Sequence, residues 1–252
     1  MKKGQWLPLT KNRRLVLDVC SLSKHVPLFP AEMTVNVGAV SQARTQAAIR
    51  VSWAAIFTKA FAIAAVDQPQ LRQAYFGWPW PHLYEHLFSN ASIAMHRTDG
   101  DEDRLCWARL TRVEELSLSA IQERLDSLKT LPIEEAFAKQ HRMSRLPFPV
   151  RRLMWMLALR MSGRTRAKSL GTFSVSSLAG MKTYNRFHPT ILTTSLSYGP
   201  IDEAGDCLLT LICDHRVLDG FRAAKCLEAI DTAVNGEVLS ELRALESMQN
   251  AA

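Results

Sequence analysis

The run Asp214-His215-Arg216-Val217-Leu218-Asp219-Gly220 holds the residues best suited to chemistry in this 252-residue chain. A neutral imidazole titrates in the range needed to take a proton from an attacking thiol, hydroxyl or amine, so His215 is a candidate general base. The apolar stretch 208–213 precedes the run and a helical-looking stretch, 221–234, follows it. That context puts His215 where a buried strand ends, with its ring free to enter a pocket, and lets Asp219 and Gly220 turn the chain into the helix. A purely structural reading fits the same letters, because Asp219 is a good N-cap and Asp214 can simply close a strand. Cys213 raises a Cys/His nucleophilic pair as an alternative, set against the plain role of a small buried hydrophobe. A third candidate is His82-Leu83-Tyr84-Glu85-His86, whose His-x-x-Glu-His spacing binds zinc when both histidines lie one turn apart on a helix. It follows Gly77-Trp78-Pro79-Trp80-Pro81 and lacks a third ligand in recognisable context. The expectation there is an amphipathic loop with its aromatic residues on the core or at a substrate entrance, and no metal.

The string from Asp214 to Gly220 resembles the active-site signature of the 2-oxo-acid dehydrogenase acyltransferases. It also resembles that of their relative chloramphenicol acetyltransferase, in which the histidine and aspartate of His-x-x-x-Asp-Gly recur. Gly171-Thr172-Phe173-Ser174-Val175-Ser176-Ser177-Leu178 is similar to the family's glycine-threonine-phenylalanine strand, which carries the hydroxyl that hydrogen-bonds the oxyanion. By position that residue is Ser176, with Ser174 and Ser177 close enough for the assignment to slip; the plain alternative is a small polar residue on a half-buried strand. Leu7-Pro8-Leu9-Thr10-Lys11-Asn12-Arg13-Arg14 resembles the family's opening segment. In the chloramphenicol enzyme an amino-terminal arginine pairs with the motif aspartate, which makes Arg13 the candidate partner of Asp219 and Arg14 the next. Such a pair would hold His215 in one orientation. A basic terminus in water is the equal alternative.

The resemblance implies an α+β fold, a chloramphenicol acetyltransferase-like layered domain with helices packed on a mixed β-sheet. It implies acyl transfer from a thioester, with His215 as general base, Ser176 as oxyanion donor, and Asp219 with Arg13 and Gly220 supporting the loop. It further implies a homotrimer with its active sites between subunits. Two departures narrow the expectation: no lipoyl or partner-binding domain fits ahead of Leu7, and the stretch 99–115 is charged where the dehydrogenase enzymes are apolar. A stand-alone enzyme is therefore expected, one that takes an acyl-CoA or an acyl carrier protein thioester and a small or lipid-like acceptor. Coenzyme A thioester enters as co-substrate, with no permanently bound cofactor.

Composition agrees with one catalytic domain over 1–252, with its core over about 7–236. The hydrophobic fraction of 47% can build a sizeable core, and neither a linker nor a repeat divides the chain. Five scattered cysteines without a Cys-x-x-Cys pair read as reduced thiols in a cytoplasmic protein. No secretory signal opens the sequence, and the most apolar stretch, 51–66, is interrupted by Lys59 and too short to span a bilayer.

Charge is concentrated. Between Ala136 and Ile201 there is no Asp or Glu, and the Lys and Arg residues of that segment more than account for the net charge of +7. Its part over about 136–170 is both basic and apolar, and Leu153-Met154-Trp155-Met156-Leu157-Ala158-Leu159 is bracketed by arginines. This composition suits peripheral contact with an anionic membrane surface, or acidic partners that include the phosphates of coenzyme A. A core helix whose arginines snorkel to water is the equal alternative. Nucleic acid is not expected, because no reader motif accompanies the charge. From a different class, a non-catalytic trimeric scaffold that docks through this segment remains the competing function.

Periodicity predicts the positioning elements. Helices are expected over 11–23, 42–66, 116–128, 150–161 and 221–234, and strands over 33–37, 73–76, 91–97, 104–110, 171–176, 191–198 and 207–213. Helices grouped apart from runs of strands give an α+β layered domain.

Overall fold

A computed structural model describes residues 4–100, 102–160 and 162–250. The chain opens with α1 (Lys11–Ser23), the edge strand β1 (Leu28–Asn36), α2 (Gly38–Gln46) and α3 (Trp53–Asp67). A hairpin of β2 (Gln73–Phe76) and β3 (His82–Glu85) and a second of β4 (Ala91–Asp99) and β5 (Glu102–Leu110) follow. Then come α4 (Leu118–Thr130), α5 (Ile133–Ala136), α6 (Ala138–Arg145), α7 (Phe148–Arg160) and α8 (Gly163–Leu170). The last third is β6 (Phe173–Ser176), β7 (Thr194–Ile201), β8 (Asp206–Asp214), α9 (Gly220–Ala233), a π-helical turn (Val234–Val238) and α10 (Leu239–Asn250).

Six strands form one mixed sheet in the order β1-β8-β7-β6-β4-β5, with β6 parallel to both neighbours and the other pairs antiparallel. The fold is therefore the layered α+β arrangement expected. One sheet face buries Ile93, Phe173, Val175, Leu196, Leu209 and Leu211 under α3, α4 and α9. Helix α3 has no polar stripe and is buried almost all round, as befits a helix in the middle of a core. Its lone lysine, Lys59, donates to the carbonyls of Glu114 (3.1 Å) and Leu116 (2.5 Å), which satisfies the buried ammonium.

The opposite face carries the small and polar side chains of β4 to β7 and is roofed by α1, α6, α7 and α8. A second, small core of Leu170, Ile191 and Leu192 with Val19, Leu22 and Trp155 seals one end of that roof. Helix α1 is pinned to α7 by a buried ion pair of Asp18 with Arg151, each 6% exposed, and Trp155 Nε1 donates to the same carboxylate at 3.0 Å.

Two expectations need correction, and in a third place the structure departs from one of two equal alternatives. The helix expected over 42–66 is two helices, because Ser52 caps α3 by accepting from Ala55 N (3.3 Å) while its own N–H is held by Gln122 Oε1 (2.8 Å). The segment 82–86 is neither helix nor loop; β3 pairs with β2, so its histidines do not lie one turn apart on a helix and the zinc arrangement is lost. Helix α7, whose expected end at Met161 lies outside the described residues, is inverted relative to a core helix with snorkelling arginines. Arg151 is buried, and Phe148, Val150, Leu153, Met154, Met156 and Leu157 are exposed. Among the described residues no helix is long and apolar enough to cross a membrane.

Candidate active site

His215 follows the last residue of β8 and is exposed, its backbone N–H bonded to Pro27 O (2.9 Å). Its Nδ1 lies 3.0 Å from Leu218 O, and a carbonyl oxygen can only accept. Nδ1 therefore carries the proton, and Nε2 keeps its lone pair in the neutral ring. The ring also leans on Phe29, centroid to centroid 4.7 Å, so its plane is set from two sides. This is the preparation a general base requires.

The turn that carries His215 is held from within the motif. Asp214, buried, accepts from Arg216 Nε (2.9 Å), Nη2 (2.7 Å) and backbone N (3.0 Å). Arg216 in turn lies over the Tyr75 ring at 4.3 Å. Asp219 accepts from Arg222 N (2.8 Å) as the N-cap of α9, and Gly220 is the helix's first residue. Arg13 sits exposed in the first turn of α1; among the described residues it forms no ion pair with Asp219, and Arg14 reaches only Ser144 O at 3.5 Å. The expected Arg13–Asp219 pairing is thus not made. The helix N-terminus engages the carboxylate of Asp219, and the loop's guanidinium comes from Arg216. Burial pushes the Cys213 thiol up to about 12, which keeps it protonated at neutral pH and removes the Cys/His nucleophile.

The serine strand owes its place to the residues before it. Gly171 has φ +93° and a Cβ there would come 2.9 Å from Asn90 O, so only glycine fits. Thr172 Oγ1 accepts from Asn90 N (2.9 Å) and donates to Asn90 O (3.2 Å), while Phe173 stacks on Phe61 at 3.9 Å. These contacts fix β6 between β4 and β7 and turn Ser174 and Ser176 to the roofed face.

Under that roof lies a cavity of about 1200 Å³ lined by Ser174, Ser176, Asn185, His188 and Arg109 among mainly apolar side chains. The three candidate hydroxyls are now distinct. Ser177 donates to Tyr198 O (2.7 Å), and Ser174 donates to Ser195 (2.7 Å). Ser176 instead accepts from Asn185 Nδ2 (3.2 Å), which leaves its own proton to donate into the cavity. Asn185 Nδ2 also faces His188 Nδ1 (3.3 Å), and His188 Nε2 lies 2.8 Å from Ser195 Oγ. An amide nitrogen only donates, so His188 is neutral with its proton on Nε2, in keeping with burial that lowers its pKa. Asn185 and His188 were not legible beforehand, since they lie in the irregular stretch between β6 and β7 where no periodicity marks a facing side. Arg216 stood two residues from Asp214, a spacing that could have signalled the pair.

His215 and Ser176 do not meet within one chain. Ser176 pairs with Ser197, Ser197 pairs with Thr210, and His215 lies five residues beyond Thr210. At about 3.4 Å per residue and about 4.8 Å per strand, their Cα atoms are roughly 20 Å apart.

No protein-family model matches the sequence, and a search of curated proteins finds no match. Solved structures do match. A probable dihydrolipoamide acetyltransferase from Listeria monocytogenes shares 22% identity and a TM-score of 0.63, over 92% of this chain and 94% of that one. The dihydrolipoamide acetyltransferase of Azotobacter vinelandii, studied for the role of a serine, a histidine and an asparagine in its catalytic mechanism, gives 16% and 0.66 over 96% and 94%. Chloramphenicol acetyltransferase gives 12% and 0.53 over 90% and 98%. The chain has their fold.

Proposed function

We propose that the chain is an acyltransferase that moves an acyl group from a thioester to a small or lipid-like acceptor. His215 Nε2 takes the acceptor's proton as its heteroatom attacks the thioester carbon. Ser176 donates to the resulting oxyanion; the carbon–sulfur bond then breaks, and the proton passes to the departing sulfur to give a free thiol. The observation that carries this reading is the pair of prepared groups: a histidine with its lone pair on the outward nitrogen, and a serine whose proton is left uncommitted beside a cavity. Because these groups are roughly 20 Å apart in one chain, the reading requires a second copy to bring them together, and a homotrimer with its sites between subunits is the assembly proposed. Coenzyme A is the favoured donor. Arg124, Lys139, Arg142 and Lys168 line the same cavity with exposed basic side chains, suited to phosphates at its mouth. The test is free-thiol release from a panel of acyl-CoAs: His215→Ala should abolish it while leaving the oligomer intact, and retained turnover in that variant rejects the mechanism.

The exposed apolar side of α7, with Arg152 and Arg160 on its surface, favours a second reading as a non-catalytic scaffold that docks on an anionic membrane surface. Absence of thiol release with any acyl-CoA would favour the scaffold, and failure to float with anionic liposomes at low salt would remove the docking.

A further inference from the structure

Arg109 lines the cavity from β5, and among the described residues it has neither an ion-pair nor a hydrogen-bond partner. Its Nη1 is fully buried and unpaired. Burial alone holds its pKa down at about 10, with no acidic group contributing. Arg109 as a whole is half-buried, and a guanidinium partly withdrawn from water without an anion beside it is unfavourable, since buried charges in proteins are ordinarily paired. Its position is specific. Arg109 faces Ser92, Ser92 faces Ser174, and Ser174 faces Ser195, so one rung runs across four strands beneath the roof. Two strand spacings and two residues separate Arg109 from Ser176, which puts their Cα atoms roughly 12 Å apart. The lining is mainly apolar, with Ala94, Trp107, Leu128, Phe137 and Met143, and it also includes Gln140 and the exposed Glu135. Among the described residues of the lining, the other basic groups, Arg124, Lys139, Arg142 and Lys168, are exposed, whereas Arg109 is half-buried with its Nη1 enclosed.

We propose that this cavity binds a ligand bearing a carboxylate on an apolar body several carbons long, with the carboxylate seated on Arg109. The inference rests on the acyl-transfer reading only in naming the ligand as a substrate: the carboxylate belongs either to the far end of a dicarboxylic acyl group or to the acceptor. A planar guanidinium presents paired N–H donors to a planar carboxylate, and in a mainly apolar cavity that contact discriminates against the uncharged amide of the same shape.

Hexanoate and hexanamide serve as probes, titrated calorimetrically against the whole protein. Hexanoate should bind about tenfold or more tightly than hexanamide, Arg109→Gln should erase the preference, and Arg109→Lys should keep part of it. Equal binding of the two probes, or a preference that survives in Arg109→Gln, overturns the proposal. Thermal melting adds an independent check: removing an unpaired, half-buried charge should leave the midpoint unchanged or raise it, and a lowered midpoint makes Arg109 a structural residue and sinks the ligand site. Turnover assigns the source. Adipyl-CoA preferred over hexanoyl-CoA places the carboxylate on the acyl group; 6-hydroxyhexanoate preferred over hexanol places it on the acceptor. Carboxylate binding without any transfer defeats the acyltransferase reading and leaves the site standing, whereas transfer without a carboxylate preference defeats this inference alone.

Discussion

A complementation experiment puts the strongest demand on the proposed site. If His215 of one subunit works on a thioester held by Ser176 of the next, then Ser176→Ala and His215→Ala damage different halves of the same site. Ser176→Ala alone should lose roughly 100- to 1000-fold in rate, the usual worth of one oxyanion donor, and His215→Ala should lose more. Each parent then retains about 1% of activity or less. In a closed ring with random exchange, a site is whole only when its histidine comes from a Ser176→Ala chain and its serine from a His215→Ala chain. Each choice has even odds, so a one-to-one mixture should recover about one quarter of wild-type activity. The converse mixture, wild type with the double variant, should also fall to about one quarter, whereas a site within one chain would give about one half. The assay is free-thiol release after co-expression or mild unfolding and refolding, with exchange verified by native mass spectrometry. Verified exchange with activity no higher than the parents refutes the shared site. The reasoning from the roughly 20 Å separation would then be wrong, because no side chain spans that gap.

Two further predictions concern what holds the site. Asp18→Ala strands the buried Arg151 and leaves Trp155 Nε1 without its acceptor, so urea unfolding should show a loss of about 3–5 kcal/mol. The double change Asp18→Leu with Arg151→Met should cost less than the single one, and a loss under about 1 kcal/mol for Asp18→Ala contradicts a buried pair. His86, 4% exposed, has its pKa lowered to about 4 by burial, with Arg166 and Arg72 adding to it. The folded state binds this proton more weakly than the unfolded chain, so its contribution is complete above pH 6.5 and lost as pH falls from 6.5 to about 4. That gap corresponds to about 3 kcal/mol, to which His188 adds in the same direction. Unfolding free energies measured across that range should fall less steeply for His86→Gln, and identical slopes would contradict the assignment.

Local periodicity carried much of the fold. The first helix, 11–23, coincides with α1, and 73–76 coincides with β2, because a repeat of about 3.6 or 2 residues within one element depends on that element alone. The misses share one cause. Apolar residues run across 42–66, so periodicity could not reveal a break made by a cap at Ser52 and by Gln122, 70 residues away. In α7 the letters fitted a docking surface and a core helix with arginines at its rim equally, and Asp18 on another helix holds Arg151 inward while the apolar side faces out. That long-range pair leaves no record in composition.

The same limit explains why the motifs pointed to the candidate groups and hid their surroundings. A motif is contiguous, so it can encode a turn such as Asp214 to Gly220, where the cap, the carboxylate and its guanidinium all lie within eight residues. The row Arg109, Ser92, Ser174, Ser195 is assembled by hydrogen bonding among β5, β4, β6 and β7, whose order in space is not their order in the chain. On the proposed function, substrate choice would depend on that row and on the roof above it. A signature for acyl transfer can therefore stay constant while the cavity beside it is rebuilt by single substitutions on distant strands. An unpaired arginine at one such position is where the substrate of this chain should leave its mark.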